Sequence, residues 1–388
     1  MKTMMKLPPL LAAGFAGVCL VSCSRNDGAA ADVRAAAGDA PAWCESAAAS
    51  VQKGIAWLAA NESAEIPGCW GDPKFPAVTG LALWAMAETG DPSCAPQMDR
   101  AVAFLLSCVR EDGGIYVENP GRRGGGLSNY NTSICLTALH AARGNDPALL
   151  PVLLRARTFV ASSQLTGDPD DEYHGGFGYD KANDRAYTDL MNTHFSVEAI
   201  RRTQGLEEFR PAGQPRAEID WNAALAYVST LQSREGEDAG GFFYNPTDAK
   251  AGVRTNETGA VRFNAYGSIT YAGFLAMVFC EIKRDDPRVA SALDYASRYW
   301  TLDENPGLGQ GSLYFYINTM ARALSAARMD SIPRHGGGGA IQWRNEVTAR
   351  IVSLQKEDGS WSNEDNRWWE SDPSLTTSYA LLALFYAK

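Results

Sequence analysis

Residues 355–388 read QKEDGSWSNEDNRWWESDPSLTTSYALLALFYAK. The segment contains the end of one helix, a tight turn at Asp358-Gly359, an aromatic stop at Trp361, a polar loop, and a second helix opening at Thr376-Thr377. Glycine permits the positive φ that ends a helix. The aromatic residue after it can fold back over the helix end and bury a large area. The same pattern recurs five times upstream, with drift.

Apolar residues at i, i+4 and i+7 mark six outer helices. They are Val51/Ile55/Leu58, Val102/Leu106/Val109, Ala156/Val160/Ser163, Ala224/Val228/Leu231, Val289/Leu293/Ala296 and Val347/Ile351/Leu354. Each is followed by a glycine-rich break, five of them with an aromatic residue in the break itself. Among the breaks are Gly68-Cys69-Trp70-Gly71, Gly175-Gly176-Phe177-Gly178-Tyr179 and Gly240-Gly241-Phe242-Phe243-Tyr244. A second, almost wholly apolar helix then begins near Thr79, Thr132, Thr193, Thr270, Thr319 or Thr377. Threonine at a helix start can accept an orphan N–H bond, and a helix apolar all round is a buried one.

Six such pairs are a repeat architecture. An open array needs polar capping repeats, and a closed ring does not. The sequence therefore predicts an all-α (α/α)6 toroid over residues 43–388, six inner helices ringed by six outer ones. Residues 233–268 and 327–342 interrupt the period, and both read as loops.

The chain has 388 residues, a net charge of −10 and 45% hydrophobic residues. That is a globular composition and too acidic for a nucleic-acid partner. Residues 1–22 read as a signal peptide: Lys2 and Lys6, then an apolar run too short to span a membrane. Leu20-Val21-Ser22-Cys23 resembles the bacterial lipobox, which implies cleavage before Cys23 and lipidation of its thiol. Residues 23–42 read as a flexible tether. The expected protein is an exported, membrane-anchored lipoprotein. Ser24 in place of a retention aspartate points to an outer membrane, with the toroid facing the periplasm.

QKEDGSW resembles the repeat signature of squalene and oxidosqualene cyclases and of protein prenyltransferase β subunits, which share the α/α toroid. YGSITYAGFLAM (266–277) and TLDENPGLGQG (301–311) resemble bacterial exported proteins that carry such repeats. In the cyclases, an aspartate in a D-x-D-D-T motif at an inner-helix start protonates an alkene. The matching stretch here is Asp189-Leu190-Met191-Asn192-Thr193, which keeps only the first aspartate. Asp168-Pro169-Asp170-Asp171 has the right letters on the wrong side of the break and reads as a solvated loop. The prenyltransferases hold zinc through Asp, Cys and His. Asp189 and His194 lack the accompanying cysteine, and Ser371-Asp372-Pro373-Ser374 stands where the last ligand would be. No metal and no cofactor is expected.

Inner-helix N-termini should surround one mouth of the ring, where unpaired N–H groups face the opening. The candidate catalytic residues there are Asp189, His194 and Glu370. The candidate ligand-binding residues are Asn192, Tyr266, Tyr271, Tyr314, Tyr316 and Tyr379. The alternative for Asp189 and His194 is a helix-start pair, and for the others the tying together of helix ends. Helix polarity places Cys44 with Cys94 and Cys69 with Cys108, two candidate disulfides. Two functions remain open: a binding or scaffold module for a small molecule, peptide or glycan, and an enzyme of isoprenoid-type substrates using a rearranged acid.

Overall fold

The computed structural model describes residues 42–118, 126–181, 187–255, 259 and 261–388, with the side chains of 42–44 excepted. The signal peptide, Cys23 and nearly all of the tether lie outside the described residues. Outer helices are α1 (Ala42–Ala60), α3 (Ala95–Ser107), α5 (Leu150–Ala161), α7 (Trp221–Thr230), α9 (Pro287–Arg298) and α11 (Trp343–Ser353). Inner helices are α2 (Pro76–Thr89), α4 (Ser128–Arg143), α6 (Leu190–Arg202), α8 (Gly267–Phe279), α10 (Leu313–Ala326) and α12 (Pro373–Tyr386). Each inner helix packs on the next, and α12 closes onto α2. The fold is an α/α toroid.

The inner helices are buried nearly all round: in α12 every residue from Ser374 to Leu384 is buried. The outer helices bury one stripe, as Val289, Ala292, Tyr295 and Ala296 do in α9. Tryptophans fold back as the sequence implies. The Trp361 indole donates to the Ile351 carbonyl at 2.8 Å, and the Trp70 indole donates to Leu58 O at 2.9 Å.

The breaks also stitch neighbours together. Gly359 has φ +93°, and a Cβ there would stand 2.7 Å from the Lys53 carbonyl of α1. No other residue fits such a site without moving backbone. Gln355, Gln164 and Gln232 each donate through Nε2 to a glycine carbonyl of their own break. Each also donates to a carbonyl in or just before the next outer helix.

Three expectations are corrected. The threonines are not helix caps, since each inner helix starts three to six residues earlier. Instead, the hydroxyls of Thr79, Thr132, Thr193, Thr270 and Thr377 accept the backbone N–H of Trp70, Ile115, Phe177, Phe242 and Trp361. That bond pins the break to the inner helix. The two insertions are not wholly loop. Each carries a short antiparallel hairpin, β1 (Val253–Thr255) with β2 (Val261–Phe263), and β3 (Ile332–Pro333) with β4 (Ala340–Ile341).

The Cys69–Cys108 bridge is not made. Both are buried free thiols, and Cys69 Sγ faces the Trp70 and Gly71 carbonyls, each at 3.9 Å. Cys94 is a buried free thiol too, and the side chain of Cys44 lies outside the described set. Burial pushes the Cys69, Cys94 and Cys108 thiols above the usual range.

Candidate functional site

A cavity of about 460 Å³ opens where the inner helices begin. All six contribute residues from their first two turns: Ala77, Tyr130, Met191, Ile269, Phe315 and Leu375 among them. Six N-termini therefore gather at one mouth, which makes the inner helices parallel to one another.

The glycine-rich breaks build the wall. Phe177 and Phe242, first after their glycine pairs, are fully buried, while Tyr179 and Tyr244, two residues later, line the cavity. Their hydroxyls are 3.5 Å apart. Tyr187, Tyr266, Tyr130 and Tyr379 complete a hydroxyl-rich wall. The floor is aromatic: Phe195 lies edge-on to Tyr130 at 5.6 Å and 6.3 Å from Phe315, which is 5.8 Å from Tyr379.

Below the floor a charged belt fills the axis. Arg322 pairs with Glu198, which also holds Arg202 at 2.7 Å. Arg202 donates to the Tyr386 hydroxyl at 2.9 Å, and that hydroxyl donates to Glu88 at 3.0 Å.

The lip is the polar loop of the last repeat. Trp368 and Trp369 line the cavity, with φ of 55° and 67°, and are 39% and 44% exposed. Trp369 lies 4.6 Å from the Phe75 ring, and the Arg367 guanidinium stands 4.1 Å over Trp368. Leu127 and Ser312, just before α4 and α10, also have φ of 61° and also line the cavity. Bulky non-glycine residues rarely adopt such angles.

Asp189 caps α6. Its Oδ1 accepts Asn192 N at 2.8 Å and its Oδ2 accepts Asn192 Nδ2 at 2.7 Å. It is fully buried behind the tyrosine wall and does not line the cavity. Burial pushes its carboxyl up to about 6, against the hydrogen bonds from Asn192 and Tyr244.

His194 does not pair with Asp189, whose oxygens are taken by Asn192. Its ring lies 4.0 Å from Phe195 and 6.1 Å from Phe315. Burial, then the charge of Arg322, hold it well below its usual range, so the imidazole is neutral. Glu370 is the one candidate acid in the lining. Its carboxylate accepts Phe315 N at 2.7 Å, Asn363 Nδ2 at 2.9 Å and Tyr314 N at 3.2 Å. Burial raises it to about 7 despite those donors.

Of the candidate ligand-binding residues, Tyr266 and Tyr379 line the cavity. Asn192 stands behind it with Asp189. Tyr271 and Tyr316 lie together, ring centroids 5.8 Å apart, and the Tyr316 hydroxyl donates to Thr301 O at 2.9 Å. Tyr314 is buried beside Glu370, which accepts its backbone N–H. Lys250, from the insertion before α8, lines the rim. It is paired with Asp248 at 2.5 Å, with its ammonium 4.9 Å from the Tyr244 ring. Among the described residues no group of three or more His, Cys, Asp or Glu could hold a metal ion. Asp168 and Asp170 are exposed, in a loop stabilised by their own turn bonds.

Sequence reasoning missed Trp368, Trp369, Tyr179, Tyr187, Tyr244, Phe315, Phe75 and Lys250. The signal for Tyr179 and Tyr244 was present: an aromatic two residues beyond the buried one, in the same break. The tandem tryptophans at 368–369 stood in a loop that otherwise holds polar residues.

No family model matches the chain, and no curated protein is similar to it in sequence. Solved structures are similar in fold. The type II terpene cyclase MstE from Scytonema superposes with TM-score 0.52 at 13% identity, covering 88% of this chain and 97% of that one. Cellobiose 2-epimerase from Spirochaeta thermophila gives 0.55 at 14% identity, over 89% and 96%. An α-1,6-mannanase from Salegentibacter gives 0.53 at 13% identity, over 89% and 99%. At such identities the likeness concerns the fold.

Proposed function

We propose that this chain is an exported, lipid-anchored toroid that binds a small ligand in its mouth cavity, without the alkene-protonation chemistry of the cyclases. One observation carries the reading. Of the six described non-glycine residues with positive φ, four border this single cavity: Leu127, Ser312, Trp368 and Trp369. Strained backbone costs stability and persists where a site requires it. The cavity volume of about 460 Å³ suits a small molecule.

The cyclase chemistry is disfavoured by the acid. Asp189 is behind the wall, its oxygens already engaged. The enzyme reading keeps one supporting observation. Glu370 lines the cavity and is raised to about 7, so a neutral carboxylic acid reaches the mouth near neutral pH.

The test is native mass spectrometry of the full chain purified in detergent from its own host. A small molecule retained one to one and recovered unchanged after incubation supports a binding module. Conversion of that molecule by wild type but not by Glu370→Gln would replace this reading with the enzyme. Recovery of bare protein under gentle ionisation would remove it. Anchoring is tested apart: Cys23→Ser should move the protein from the membrane pellet to the soluble fraction.

A further inference from the structure

Among the described residues the lining is hydroxyl-rich and poor in free charge: six tyrosines and two serines against one carboxyl and one ammonium. The carboxyl of Glu370 is held by three N–H groups, and Lys250 is paired with Asp248. Tyr266 lines the cavity and is only 5% exposed. An isoprenoid chain filling this space would give no partner to any lining hydroxyl that the protein leaves unpaired, and each unpaired buried hydroxyl is unfavourable. A strongly anionic ligand would meet no free cation among the described lining residues.

The lip adds the second half of the pattern. Trp368 and Trp369 present indole faces that are 39% and 44% exposed, held over the opening in a conformation that disfavours any side chain. An indole face left partly exposed beside its contacts with Arg367 and Phe75 suits a flat apolar surface on a ligand that is otherwise polar. Arg367 ties this lip to the opposite rim by donating to the Lys250 carbonyl at 3.2 Å.

Resting on the binding reading above, we infer that the ligand is a short neutral saccharide. Its C–H faces lie on Trp368 and Trp369, and its hydroxyls exchange hydrogen bonds with Tyr266 and the tyrosine wall. A site built to bond hydroxyl groups discriminates strongly against analogues lacking them.

The full chain in detergent micelles is titrated by calorimetry with four neutral trisaccharides (α-1,6-mannotriose, cellotriose, maltotriose and chitotriose) and separately with geranylgeraniol. Saturable binding of at least one saccharide is expected, weakened about tenfold or more by Trp368→Ala and by Tyr266→Phe. Circular dichroism of both variants should match wild type, because one residue is exposed and the other exchange keeps the ring. Saccharide binding unchanged by both variants overturns the inference, since the sugar then sits elsewhere. Binding of geranylgeraniol alone overturns it too and leaves the cavity reading standing. Binding of no probe overturns it, and the mass-spectrometric test above then decides the cavity reading independently.

Discussion

Gln355 and Ser50, separated by 305 positions in the chain, exchange hydrogen bonds across the seam of the ring. Ser50 Oγ donates to Gln355 Oε1 at 2.6 Å, and Gln355 Nε2 donates to Ser50 O at 2.8 Å. The same amide nitrogen holds Gly359 O at 2.9 Å. Gln355→Leu fills the space but removes the partner of the Gly359 carbonyl and of the Ser50 hydroxyl, while Ser50 O keeps its bond within α1. The expected loss is about 2–4 kcal/mol, at about 1–3 for each stranded group that water cannot reach. Chemical denaturation checks the size. Hydrogen exchange should show α1 and α11 opening first. Protection lost uniformly around the ring would contradict a seam at this point.

The pinning threonines give a paired prediction. Thr193 accepts Phe177 N at 3.0 Å, so Thr193→Val strands a buried N–H and should cost about 1–3 kcal/mol. Thr319 stands at the matching place in α10, but its hydroxyl is buried with no partner among the described residues. Thr319→Val removes an unsatisfied group at equal volume, so it should fall within about 0.5 kcal/mol of wild type or stabilise it. Denaturation midpoints of the two variants decide. Equal losses would mean the hydroxyl-to-break bond is not what the repeated threonine supplies.

That contrast also shows what the sequence could and could not reveal. Periodicity is a property of one helix at a time, so the six pairs were readable from triplets such as Val347/Ile351/Leu354, whereas closure was argued from the capping repeats an open array needs. The threonines were visible as a repeat, but their role was misassigned, because a cap and a tertiary acceptor leave the same letter at nearly the same place. Asp189 and His194 are spaced for a helix-start pair, yet Asn192 is nearer to the carboxylate and took both oxygens. Cys69 and Cys108 were placed at one end of the ring, but helix polarity fixes an end and not the few ångströms a disulfide needs. The lip escaped because left-handed φ at Trp368 and Trp369 is imposed by the surrounding fold and has no local signature.

Asp189 makes stability depend on pH with a definite sign. Its carboxyl is raised by burial to about 6 in the folded chain, from an ordinary 3.8. The folded state therefore holds this proton more tightly than the unfolded one. The contribution is greatest below about pH 4 and is lost as pH rises to about 6, a span of about 3 kcal/mol. Glu370, raised to about 7, acts in the same direction over a window reaching higher. Asparagine is a good N-cap, so Asp189→Asn keeps the cap and deletes the titration. Its denaturation midpoint should equal or exceed wild type at pH 7.5 and should change less between pH 4.5 and 6.5. A variant that declines more steeply than wild type over that window would refute the assignment. Retained ligand binding in the same variant would separate capping from catalysis.

The lip predicts a trade between stability and binding. Trp368 sits at φ 55°, where an L-residue loses roughly 1–2 kcal/mol relative to glycine. Its ring is 39% exposed, and the aromatic or cationic contact it makes is with Arg367 next to it in the chain. Trp368→Gly should relieve the strain at little packing cost and raise the denaturation midpoint by about 1 kcal/mol, while weakening retention of the co-purified ligand. Trp369→Gly relieves the same kind of strain at φ 67° but forfeits the Phe75 ring at 4.6 Å, so its gain should be smaller. Ligand retention is read by native mass spectrometry and stability by urea denaturation on the same preparations. If Trp368→Gly instead loses more than about 1 kcal/mol, the indole is a plug that the fold needs, and the strain at the lip no longer argues for a ligand.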